Sequence, residues 1–101
     1  MAVKVALCAI GRTENRYAME FVEHHLSVGF DKIIIYDNNR EGEELFTDVL
    51  QDYVDAGKVD IVPLHEDGYV MLETYKRCYE EYGKEFDWIM YLDFDEFLLA
   101  D

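Results

Sequence analysis

The sequence predicts an α/β fold: a mainly parallel βαβαβαβ sheet with helices on both faces. Three observations carry this. Short β-branched runs alternate with stretches of helical spacing, the runs are continuously apolar rather than alternating, and glycines close the first two helical stretches. Unbroken alternation of this kind makes a parallel sheet, because each helix is the crossover that brings the next strand back in the same direction.

The first strand is read from Val3 to Ile10 and closed by Gly11. From Glu14 the apolar period changes, with Ala18, Phe21, Val22 and Leu26 on one helical face and Gly29 as the stop. Asp31 to Asp37 holds Ile33-Ile34-Ile35-Tyr36, too continuous for a half-exposed strand and therefore an interior one. After the polar stretch Asn38 to Gly42, Leu45, Val49, Leu50, Tyr53 and Val54 restore helical spacing up to Gly57. Lys58 to Leu64 gives a third strand, ended by Pro63, which cannot donate to a ladder. A loop with Gly68 follows. Met71, Leu72, Tyr75, Cys78, Tyr79 and Tyr82 line a third helix, its tyrosines read as core, and Asp87 to Leu92 makes a fourth strand running into Asp93-Phe94-Asp95-Glu96.

At 101 residues, 50% of them hydrophobic, the chain has the length and composition of one packed domain. Its formal charge of −14, from 23 Asp and Glu against 9 Lys and Arg, excludes nucleic acid and anionic membrane as partners. Any phosphate-bearing ligand then needs a local cation. Cys8 and Cys78 lack the spacing of a metal or redox motif and read as reduced core thiols. No segment approaches the ~20 apolar residues that cross a bilayer, so a cytoplasmic location is expected, with any membrane association carried by sequence elsewhere. His25 shares the apolar face of the first helix and reads as a packing residue, His24 as a surface one, and His65 stays unassigned.

Ligands of parallel sheets sit beyond the carboxyl ends of the strands. Here those ends carry Gly11-Arg12, Asp37-Asn38-Asn39, His65-Glu66-Asp67 and Asp93-Phe94-Asp95-Glu96, an acidic rim. Carboxylates at i and i+2 of an extended chain point the same way and offer two hard oxygen donors, the chemistry of Mg²⁺ or Mn²⁺. Asp37 suits a turn-capping role as well as ligand contact.

A hydrophobic strand ending in Tyr91-Leu92-Asp93-Phe94-Asp95-Glu96-Phe97 resembles the Asp-X-Asp element of GT-A glycosyltransferases. Cys8 to Tyr17, then Glu23-His24-His25-Leu26 with Gly29, Tyr36-Asp37-Asn38, and Asp87-Trp88-Ile89 are similar in order and spacing to family-2-like and family-92-like members. Thr13 stands where such relatives commonly carry Asn. The resemblance implies a nucleotide-diphosphate sugar donor, UDP-sugar favoured, bound by Ala9, Ile10, Gly11, Arg12, Glu14, Asp37, Asn38 and Asp93. In it Ala9 to Arg12 border the nucleoside, Asp37 hydrogen-bonds the base, Asp93 faces the ribose, and Asp95 with Asp93 holds Mn²⁺ or Mg²⁺. Glu96 either backs that metal site or is solvated. The acceptor, a glycan, lipid or protein, and the general base belong to sequence beyond the motif. The expectation is therefore one domain over 1–101, cut short after the motif, with weak nucleotide binding and no turnover of its own.

Two other readings compete. An apolar strand followed by Asp-X-Asp also opens haloacid dehalogenase-type phosphatases, with Asp93 as nucleophile. Alternatively the domain is non-catalytic and binds a nucleotide or self-associates through the fourth strand's edge and the apolar tail Phe97-Leu98-Leu99.

Overall fold

The computed structural model of the chain describes residues 3–39, 42–64, 71–94 and 96. Asp95, His65-Glu66-Asp67, Gly68 and the tail Phe97-Leu98-Leu99 lie outside the described residues, as do the side chains of Met71 and Leu72. The elements run β1 (Val5–Gly11), α1 (Asn15–Ser27), β2 (Lys32–Asp37), α2 (Thr47–Asp55), β3 (Val59–Pro63), α3 (Met71–Tyr82) and β4 (Trp88–Tyr91). All strand pairs are parallel, in the order β3-β2-β1-β4. The predicted α/β class and element order both hold.

Successive strand side chains point to opposite faces, and the two faces hold separate cores. On one, Leu7, Ala9, Ile33 and Ile35 pack with Ala18, Phe21 and Val22 of α1 and Leu50 of α2. On the other, Ala6, Cys8, Ile34 and Tyr36 pack with Cys78 of α3. Helices on both faces explain the continuous apolar runs, because Ala6 to Ala9 and Ile33 to Tyr36 are all fully buried. His25, also fully buried, donates from Nδ1 to the Phe21 carbonyl at 2.8 Å. Burial lowers its pKa below the usual histidine value, so it packs as a neutral ring against Phe21 and Phe30. It is the packing residue expected.

Both predicted glycine stops are structural. Gly29 and Gly57 have φ of 116° and 76°, and paired hydrogen bonds close each helix: Phe30 N–H to His25 O with Gly29 N–H to Leu26 O, and Lys58 N–H to Tyr53 O with Gly57 N–H to Val54 O. This left-handed cap satisfies carbonyls that the helix end leaves over.

Two sequence expectations need correction. Leu45 precedes α2 and is exposed, since the helix starts only at Thr47. Tyr79 is 67% exposed, so the α3 tyrosines are not uniformly core. Trp88 and Met90 of β4 are also exposed, because α1 and α2 cover β1 to β3 and no described helix covers that face of β4. Among the described residues no helix is long and apolar enough to cross a membrane.

Helix α3 is docked through phenols as well as apolar contacts. The buried Tyr36 hydroxyl donates to Glu81 Oε1 at 2.9 Å, and Tyr82 donates to Asp60 Oδ2 at 3.0 Å. Desolvation, then the neighbouring carboxylate, raises the pKa of each phenol. A raised folded-state pKa contributes stability that is complete below the unfolded value of about 10 and disappears as pH climbs through the folded value. Thermal melts should therefore show a fall in Tm that starts near pH 10 and is shallower in Tyr36→Phe and Tyr82→Phe. At pH 7 each substitution should cost about 1 kcal/mol for the lost hydrogen bond. A wild-type Tm flat from pH 9 to 12 would contradict this.

Candidate functional site

After β1 the chain builds β2 and β3 on one side, then crosses back and lays β4 on the other side of β1. The direction of winding thus reverses between β1 and β4, and open parallel sheets bind ligands beyond the strand ends at such a point. The ladders flanking β1 stop at different heights. Pairing with β2 continues to Gly11 and Asp37, where Asn38 N–H donates to the Gly11 carbonyl at 2.8 Å. Pairing with β4 stops at Cys8 and Tyr91, closed by Leu92 N–H on the Cys8 carbonyl at 3.2 Å.

Past Leu92 the chain turns, contrary to the extended continuation expected from sequence. Glu96 N–H donates to the Asp93 carbonyl at 3.0 Å, and Glu96 Oε1 accepts the Asp93 N–H at 2.8 Å. Glu96 therefore closes the acidic turn on itself. Phe94 drives the turn inward: it is 2% exposed, stacked on Phe46 at 5.4 Å between centroids and 4.7 Å from Phe21. Asp93 stays exposed at the lip.

The remaining expected site residues fall on the β1 and β2 ends. Ala9 is fully buried toward α1, Ile10 is half-buried on the α3 side, and Gly11 is buried beneath Phe46 and Phe94. Arg12 is exposed and grips Glu43, Nε to Oε1 at 3.1 Å and Nη2 to Oε2 at 3.1 Å. An exposed pair of this kind is worth little in stability, but it offsets the positive charge of Arg12. Glu14 precedes α1 and accepts the Tyr17 and Ala18 N–H groups on its carbonyl. Asp37 Oδ1 accepts the Asn39 N–H at 2.9 Å, the turn-capping role, and Asn38 is half-buried beside it. The fold thus gathers Gly11, Arg12, Asp37 and Asn38 at one side of the β1 end and Asp93 at the other.

Sequence reasoning missed the polar lattice behind these residues. Thr13 sits at φ 54°, and its N–H donates to Asn39 Oδ1 at 2.7 Å. Glu44 Oε1 accepts the Asn15 N–H at 3.0 Å, capping α1 from another loop, and Asn15 Nδ2 donates to the Leu45 carbonyl at 2.8 Å. The Asn-for-Thr contrast at position 13 was the available signal, because Asn adopts left-handed backbone readily and a β-branched residue does not.

Among the described residues no three His, Cys, Asp or Glu side chains converge as a metal cluster. Asp93 and Glu96 are the described carboxylates of this turn, and carboxylate oxygens are the donor type that a hard divalent cation takes. The family model of glycosyltransferase family 92 matches residues 3–101. The chain belongs to this family. No curated protein and no solved structure matches it. Membership in family 92 assigns the chain to glycosyl transfer rather than phosphatase chemistry, and the match spans every element from β1 to the acidic turn.

Proposed function

We propose that this family 92 domain has the GT-A donor half's role: it binds a nucleotide-diphosphate sugar, a UDP-sugar first, at the reversal point between β1 and β4. The observation that carries the reading is the strand order β3-β2-β1-β4 with Asp93 at the end of β4. In this reading the segment Ala9 to Arg12 borders the nucleoside and Asp93 accepts a ribose hydroxyl. Asp37 keeps lone pairs for a base N–H beyond the one spent on Asn39. Asp95, with Asp93, holds Mn²⁺ or Mg²⁺. When bound, that cation supplies positive charge against the pyrophosphate and Lewis acidity for the departing nucleoside diphosphate. The need for it is electrostatic, because the chain carries −14 and Glu43 already offsets Arg12.

Calorimetric titration with UDP, GDP and CDP, with and without Mn²⁺, tests the reading on the native chain and on Asp95→Ala. UDP should bind best, and chelator or loss of the Asp95 carboxylate should weaken it by about tenfold or more, the effect of one lost charge-assisted contact. Equal affinity in chelator, or an unaffected Asp95→Ala, would refute the proposal.

A further inference from the structure

We infer that Asn39 is a positioning residue for the donor site: its side chain holds Thr13 in a left-handed backbone conformation and thereby fixes the turn from β1 into α1. The inference rests on the donor-site reading above.

Asn39 is 3% exposed, so its amide is committed to the protein interior. Its Oδ1 accepts the Thr13 N–H at 2.7 Å across 26 positions of sequence, while its own N–H donates to Asp37 Oδ1 at 2.9 Å. One residue therefore ties the end of β2 to the turn that follows β1. Thr13 needs such a tie. A β-branched residue at φ 54° is sterically disfavoured, and its own hydroxyl is turned back onto the Arg12 carbonyl at 2.6 Å. Backbone held against its preference persists only where neighbouring contacts over-determine it, and such positions concentrate at binding sites. Here the strained residue lies between Arg12 and Glu14, at the first βα turn of the reversal point.

Asn39 thus reaches the ligand through Thr13, and epistasis is its signature. In Asn39→Ala the Thr13 N–H loses its acceptor, the turn relaxes toward ordinary β-region backbone, and Mn²⁺-dependent UDP affinity should fall about tenfold, the scale of one deleted buried hydrogen bond. Thr13→Asn, which accepts left-handed backbone without that help, should bind UDP at least as well as the native chain. Added to Asn39→Ala, it should restore most of the lost affinity. A purely space-filling Asn39 would give additive effects and no rescue. The Thr13 amide-to-Hα coupling in NMR reports φ directly and should shift in Asn39→Ala.

The inference is overturned if Asn39→Ala binds UDP normally, or if the double variant is no better than the single one. Should Asn39→Ala fail to fold, Thr13→Asn alone decides: raised or unchanged thermal stability supports the strained conformation, and lowered stability overturns it. Absence of Mn²⁺-dependent UDP binding in the native chain is a separate result that removes the donor-site reading, whereas the coupling measurement still reports on Asn39 and Thr13.

Discussion

Replacing Phe94 with alanine is expected to cost about 3–5 kcal/mol of folding stability, the range for truncating a buried aromatic ring. The ring is 2% exposed, stacks on Phe46 with planes 12° apart, and meets Phe21 at 4.7 Å. It therefore joins β4's end to α1 and to the loop before α2. A domain of this size has a total stability of about 5–15 kcal/mol, so the variant should unfold at much lower urea. The consequence for the site follows from position. Phe94 is the central residue of the Asp-X-Asp element, and its burial is what turns Asp93 outward. Phe94→Leu keeps most of the volume and should lose about 1–2 kcal/mol. Urea denaturation of the three proteins checks the order; a loss below about 1 kcal/mol in Phe94→Ala would mean that the acidic turn is not anchored by this ring.

Much of the fold was legible because local sequence and tertiary environment agree. Ile33 to Tyr36 is apolar at every position because it is covered on both faces, and Gly29 and Gly57 stop helices because they alone take the left-handed cap cheaply. β4 shows where that logic ends. Trp88-Ile89-Met90-Tyr91 is as apolar as an interior strand, yet it lies at the sheet edge, and strand order is decided by crossovers that no local window contains. The candidate site divides the same way. The strand ends were readable, since a run of apolar residues closing on Asp or Gly marks itself. Behind them, Asn39 on Thr13, Glu44 on Asn15 and Glu43 on Arg12 join segments about 26 to 31 residues apart and leave no periodic trace. Phe94 also illustrates the limit: in sequence it is only the middle residue of Asp-X-Asp, and in the fold it is a buried ring beside the exposed Asp93.

A second large effect is expected at Gly11, and it separates two reasons for a glycine at the end of β1. If glycine is there only so that a nucleotide can approach the backbone, adding a methyl group should reduce ligand binding and leave the folded protein intact. The geometry argues otherwise. A Cβ on Gly11 would lie 2.6 Å from Phe46 Cζ and 2.6 Å from Phe94 Cε2, closer than carbon atoms can pack. Neither ring can retreat easily, because each is stacked against the other and buried. Gly11→Ala should therefore lose about 1–3 kcal/mol in the absence of any ligand, with Gly11→Val losing more. The clash also predicts its own remedy. Removing ring atoms should accommodate the methyl group, so Gly11→Ala combined with Phe94→Leu should be less destabilised than the sum of the two single variants, a coupling measurable by urea denaturation. Additive losses would show that the aromatic pair is not what demands glycine.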